Sequence, residues 1–117
     1  MYKWPRELNP SEFCGLVVEA ITFTVNTITI IFGKDYFLTV ESGIRLTAKG
    51  AEEEISLPPE NTGLTCLLGK EVRNSAVDGD GASLLLEFDG GSHLRVDGND
   101  DNYECFHINA KGKEFTI

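Results

Sequence analysis

The sequence predicts an all-β fold, mainly antiparallel, in which two repeated five-stranded β-meander halves pack as a sandwich or half-barrel. Three observations predict it. The stretch from Ile28 to Glu41 returns 56 positions later as the stretch from Leu84 to Asp97. Its recurring apolar positions (Ile28/Leu84, Ile30/Leu86, Phe32/Phe88, Leu38/Leu94 and Val40/Val96) alternate with other residues, the pattern of strands that bury one face. Short β-branched and aromatic runs are separated throughout by two or three turn-forming residues, as in successive hairpins. The repeat extends further at shifted offsets: Gly15 and Val18 match Gly69 and Val72, and the stretch Ile44–Gly50 matches Phe106–Gly112. A repeat of this kind fixes architecture before any single residue is read.

The elements follow in order. Residues 1–12, with Trp4, Pro5 and Pro10, read as an irregular arm with a short turn at Pro10-Ser11-Glu12. Residues 15–25 are rich in β-branched and aromatic types and predict the first strand. Asn26-Thr27 turns into a second over 28–32, and Gly33-Lys34-Asp35 into a third over 36–41. Ser42-Gly43 leads to a fourth over 44–48, and Lys49-Gly50 to a fifth around 53–57. Pro58-Pro59 ends that strand, since proline gives no ladder donor and holds the preceding residue extended. The first copy thus spans 13–57, a linker 58–66, and the second copy 67–117 of a single domain; residues 64–68 read as one helical turn. The second copy carries strands over 69–77, 82–88, 92–97, 103–109 and 113–117. Its turns Asp78-Gly79-Asp80-Gly81 and Asp89-Gly90-Gly91 supply the positive φ angles that tight hairpins need. On their second faces the copies differ. Copy two presents Leu85, Glu87, His93 and Arg95, whereas copy one presents Thr29, Ile31, Phe37 and Thr39, with Tyr36 beside them. Ile31 and Phe37 call for a cover, either Tyr2 and Trp4 of the arm or a second subunit.

A chain of 117 residues with 41% apolar residues and a mean hydropathy of −0.13 has the composition of a globular domain, able to form one core without metals or disulfides. No apolar run reaches the roughly 18 residues of a membrane span, and the N-terminal residues have no signal-like apolar stretch, so a cytoplasmic protein without a membrane partner is expected. Cys14, Cys66 and Cys105 are odd in number and lie among apolar neighbours; they read as reduced, buried small hydrophobes. The net charge is −9, and eight acids lie between Asp78 and Glu104 against one base, Arg95. Nucleic acid is not an expected partner, because phosphates require clustered Lys and Arg. The acids read either as a solubilising face or as a docking surface for a basic partner.

No residue pattern announces a reaction. Asp97-Gly98-Asn99-Asp100-Asp101-Asn102 begins like a calcium loop, but the frame lacks its central glycine, with Asn102 there, and its closing glutamate, with Ile108 there. His93 and His107 have no zinc-ligand spacing around them, so no metal or cofactor is expected. Cys105 and His107 share a strand face, yet nothing marks an activated thiol, and neither a nucleophile elbow nor a phosphate loop is present. Glu52-Glu53-Glu54 reads as charge that guards a strand edge against aggregation.

The stretch Leu86-Glu87-Phe88-Asp89-Gly90-Gly91-Ser92-His93-Leu94-Arg95-Val96, followed by Tyr103-Glu104 and Phe106, resembles a pattern of small bacterial proteins of unknown function: a leucine-rich strand, F-D-G, a second strand, then Y-E and an aromatic. The pattern departs at its end, where Phe106 stands and tryptophan is absent. In size and charge the chain is also similar to immunity proteins of polymorphic-toxin and contact-dependent growth inhibition systems. That resemblance implies a non-enzymatic binding protein that caps a basic toxin domain, such as a nuclease, by mimicking its polyanionic substrate. Asp78, Asp80, Asp97, Asp100, Asp101 and Glu104 are then the contact acids, with Tyr103 as an anchor. Hairpin tips alternate between the ends of a meander, so the Asp78/Asp80 turn and the Asp97–Glu104 loop are expected at one end and the Asp89 turn at the other. The alternatives are a small-ligand-binding module with a cleft between the half-sheets, or a regulatory or structural β-domain acting as a homodimer through the first copy.

Overall fold

The strands form where the sequence alternates, and in Ile28–Phe32, Tyr36–Val40, Leu84–Phe88 and Phe106–Ala110 the inward set is buried. A computed structural model describes residues 4–33, 35–59, 62–98 and 106–117. The strands are β1 (Val18–Phe23), β2 (Ile28–Phe32), β3 (Tyr36–Val40), β4 (Ile44–Ala48), β5 (Ala51–Ile55), β6 (Val72–Val77), β7 (Leu84–Phe88), β8 (His93–Val96), β9 (Phe106–Ala110) and β10 (Lys113–Thr116). They make two antiparallel five-stranded sheets, with no closure into a barrel. Ile28, Ile30 and Phe32 in β2 and Leu84, Leu86 and Phe88 in β7 are at most 2% exposed, and the residues between them face outward. Burying aliphatic and aromatic side chains like these contributes about 1.5–3 kcal/mol each.

The two copies do not each form their own sheet. Sheet I runs β1-β2-β3-β9-β10 and sheet II runs β6-β7-β8-β4-β5, so the last two strands of each copy complete the sheet of the other. The link between Val40 and Ile44 is therefore a crossover and not a hairpin: Val40 pairs with Phe106, and Ile44 with Val96. Alternation cannot distinguish the two arrangements, because both sheets turn their apolar faces to the same core. Exchange of β4-β5 for β9-β10 interlocks the halves.

Equivalent positions keep equivalent geometry. Gly15 and Gly69 both have positive φ, and the bonds Gly15 N–H to Val72 O and Gly69 N–H to Val18 O are both 2.8 Å long. These bonds join the start of β1 to the start of β6 around an isolated bridge between Val17 and Glu71. Both strands then carry an irregularity, at Glu19 in β1 and Arg73 in β6. Lys49-Gly50 and Lys111-Gly112 each place two residues at positive φ, the two-residue turn whose twist suits a hairpin. β5 accordingly begins directly at Ala51, earlier than the run around 53–57 suggested.

For Cys14 and Cys66 the expected free thiols are found but the expected burial is not. Cys14 and Cys66 are free and exposed; Cys105 lies outside the described residues. The reason is local. Short 3-10 turns at Pro10–Phe13 and Gly63–Leu67 repeat every three residues, so burying Leu64 and Leu67 turns Thr65 and Cys66 outward. Trp4 does not cover Ile31 and Phe37. Its ring packs toward the core against Phe106, its indole N–H donates to Leu8 O, and its backbone N–H donates to Gly81 O.

Candidate functional site

The acids of the second copy converge on one guanidinium. The β6–β7 turn folds on itself: Gly81 N–H donates to Asp78 O, and Asp78 N–H to Ser83 O, both at 2.9 Å. Asp80 is gripped by its own turn. Its Oδ1 accepts from Ala82 N–H at 2.9 Å and Ser83 N–H at 2.8 Å, while its Oδ2 accepts from the Ser83 hydroxyl at 2.6 Å. Ser83 is fully buried, and its Oγ also accepts from Gly98 N–H at 3.1 Å. This ties the turn to the end of β8.

From an outward position of β8, Arg95 reaches three carboxylates. Its Nη1 donates to Asp78 Oδ2, its Nε to Asp97 Oδ1 at 2.9 Å, and its Nη2 lies 3.4 Å from Asp80 Oδ2. Three carboxylates around one guanidinium leave two negative charges in excess. The hydrogen bond from Arg95 and that from Gly79 N–H hold the Asp78 carboxyl below the ordinary carboxylate range. For Asp80 burial works the other way, but the Ser83 hydroxyl, the Ser83 and Ala82 N–H groups and Arg95 outweigh it, and its carboxyl is lowered too. Arg95 in turn holds its proton more firmly, chiefly through Asp78.

Asp78, Asp80 and Asp97 therefore lie at one end of the sheet, as the alternation of hairpin tips predicts. Asp89 pairs elsewhere, with Arg73, which also faces Glu71. Asp100, Asp101, Tyr103 and Glu104 lie outside the described residues. The organising residue is Arg95, and sequence reasoning did not single it out. Its signal was present: it is the one base among the eight acids and occupies an outward position of an alternating strand.

Beside this cluster the outer face of sheet II forms a groove of about 330 Å³. Leu85 and Ala76 supply its apolar floor, and Arg45, Thr47, Glu52, Asn74, Glu87 and His93 its polar walls. The Asn74 amide donates to Glu87 Oε1, and His93 Nε2 lies 3.6 Å from Glu87 Oε2. Arg45 stands directly across the ladder from Arg95. Like charges in that relation repel, and the three carboxylates on Arg95 relieve it.

On sheet I, His107 lies between two oxygens. Its Nδ1 is 3.1 Å from Thr116 Oγ1 and its Nε2 is 3.1 Å from Glu41 Oε2. The carboxylate–imidazole–hydroxyl line has the order of an activated nucleophile. It was not foreseen, since Glu41 and His107 meet only through the β3–β9 pairing. Among the described residues no three His, Cys, Asp or Glu side chains are grouped to hold a metal ion. Nor is any helix there long and apolar enough to cross a membrane.

Residues 10–117 match the model of a family of unknown function, DUF6188. The chain belongs to that family. No curated protein and no solved structure matches it. Every strand and 3-10 turn of the described residues, from the first turn to the last strand, falls within the matched region.

Proposed function

We propose that this protein is a non-enzymatic, cytoplasmic binding protein that neutralises a basic protein partner, as an immunity protein caps a nuclease toxin domain. The observation that carries this reading is the Asp78/Asp80/Asp97 cluster, whose acids are held in place before any partner arrives. A surface so fixed loses little conformational freedom on binding. Its excess negative charge attracts the Lys and Arg that a nuclease needs for phosphates, and it speeds encounter at low salt. Leu85 and Ala76 in the adjoining groove offer apolar area to anchor the complex once formed. The size and acidity that resemble immunity proteins support the same reading. Asp100, Asp101, Tyr103 and Glu104, the further contact residues suggested by the sequence, belong to the same proposal.

The test pairs the protein with the toxin domain encoded by a neighbouring gene. Nuclease activity and association rate are measured at about 50 and about 300 mM salt, where screening lengths differ about twofold. The protein should abolish the activity, and its on-rate should fall steeply with salt. Asp100→Lys with Asp101→Lys should slow association at least about tenfold at low salt while leaving the melting temperature in place. An on-rate indifferent to both salt and the double reversal would overturn the proposal.

A further inference from the structure

Three pairs of equivalent positions that lie together in each half are filled differently. In sheet I, Tyr36 closes the β2–β3 turn opposite Phe32, pairs across the ladder with Ala110 and is only 4% exposed. Its ring meets Phe13 edge-on at 6.0 Å, and its hydroxyl donates to Glu12 Oε1 at 2.9 Å. A phenol thus plugs the space between the inner face of sheet I and the first 3-10 turn. Its counterpart in sheet II is Ser92, whose carbonyl accepts from Phe88 N–H in the equivalent turn. Glu12, the hydroxyl's acceptor, is replaced by Cys66 one residue before the buried end of the second 3-10 turn. Phe115, which pairs with Ile108, is replaced by Glu53, which pairs with Leu46. Where the tyrosine would lie, sheet II has an open cleft of about 360 Å³ between Leu46, Ala48, Ser92 and Cys66, rimmed by Lys49 and Lys70.

The rim has a sign. Among the described residues neither Lys49 nor Lys70 makes a salt bridge, although the chain as a whole carries −9; Lys70 does act on the Asp89 carboxylate, helping to hold it below its ordinary range. Glu53, the carboxylate on the wall, accepts from Gly63 N–H at 2.9 Å through Oε1 and keeps its negative charge, so the two lysines leave the lining one positive charge in excess. A cavity of this size, with Leu46, Ala48 and Ala51 as its apolar lining and Lys49, Glu53, Lys70 and Ser92 as its polar groups, suits a small molecule.

We propose that this cleft binds a small aromatic acid of the benzoate or hydroxybenzoate class. The ring occupies the place that Tyr36 fills in the other half, against Leu46 and Ala48, and the carboxylate is held by Lys49 and Lys70. The site is separate from the acidic cluster around Arg95, so either reading can fail without the other.

The probe is 4-hydroxybenzoate, with phenol as its uncharged comparison. Binding to the intact chain is followed by calorimetry and by the rate at which iodoacetamide alkylates Cys66, with exposed Cys14 as the internal reference. Saturating 4-hydroxybenzoate should slow alkylation of Cys66 at least about fivefold and leave Cys14 unchanged, because an occupied cleft shields only the thiol that lines it. Ser92→Tyr rebuilds the plug and should weaken binding at least about tenfold without lowering the melting temperature. Lys49→Gln with Lys70→Gln should weaken 4-hydroxybenzoate about tenfold and leave phenol little changed. Those two lysines reach solvent, so this variant tests the site even if Ser92→Tyr fails to fold. Absence of saturable binding at ligand concentrations up to about 10 mM would overturn the proposal. So would equal protection of Cys14 and Cys66, or indifference of 4-hydroxybenzoate to the lysine substitutions.

Discussion

Gly98→Ala should damage both the fold and the acidic cluster, and its cost can be worked from the packing. Gly98 is buried at the end of β8, its N–H bound to Ser83 Oγ at 3.1 Å. A Cβ there would lie 2.4 Å from Ala82 O, 2.8 Å from Ala82 C and 3.0 Å from Ile117 Cγ2. Two of those atoms are backbone in the Asp78–Ser83 turn, so the methyl is accommodated only if the turn moves by about 1 Å from the β8 end. Overpacking of this kind costs about 1–3 kcal/mol, and loss of the Gly98–Ser83 hydrogen bond about 1 kcal/mol more. The sum is about 2–4 kcal/mol. A chain of this length unfolds with an entropy near 0.25 kcal/mol per kelvin, so the melting temperature should fall by about 8–16 °C. Ser83→Ala removes the same bond, and that to Asp80, without adding an atom; it should cost only about 1–2 kcal/mol. Thermal unfolding by circular dichroism measures both. If Gly98→Ala melts within about 2 °C of the parent, or above Ser83→Ala, the close approach is not a real constraint and the turn is not anchored through Gly98.

Phe32→Ala and Phe88→Ala occupy equivalent buried positions and should each cost about 3–5 kcal/mol in urea denaturation; a loss below about 1 kcal/mol for either would mean that its ring is not in the core. Asp78, Asp80 and Asp89 titrate below their ordinary 3.8 in the folded chain, so their contribution is complete above about pH 5 and is lost as pH falls through the lowered values. The urea midpoint should therefore drop from about pH 5 downward, and Asp80→Asn should flatten that decline; an equally steep profile in the variant would exclude Asp80 as a contributor. Cys14→Ser and Cys66→Ser should each change stability by less than about 0.5 kcal/mol, and both thiols should react with a thiol reagent in the native state, whereas thiols silent until unfolding would contradict their exposure.

Most of the secondary structure was legible in the chain, because one-sided burial writes itself as alternation. Phe32 and Phe88, Leu38 and Leu94, and Val40 and Val96 each announce an inward face, and Asp-Gly and Lys-Gly announce the turns. The acidity of the second copy and the shared location of Asp78, Asp80 and Asp97 were legible for the same reason, since hairpin tips must alternate between ends. Partnership was not. Val40 and Ile44 keep the same inward phase whether the chain doubles back or crosses to the other sheet, and only the packing of both halves on one core selected the crossing. That choice brings β4 beside β8, setting Arg45 against Arg95, and β9 beside β3, bringing His107 to Glu41. The outward turn of Cys66 also depended on tertiary contacts, because burial of Leu64 and Leu67 fixes the phase of a turn too short to show a period. The cleft at Ser92 is the clearest case. A serine in one copy against a tyrosine in the other is visible in the sequence, but the resulting space exists only because the neighbouring elements of sheet II hold positions equivalent to those that enclose Tyr36.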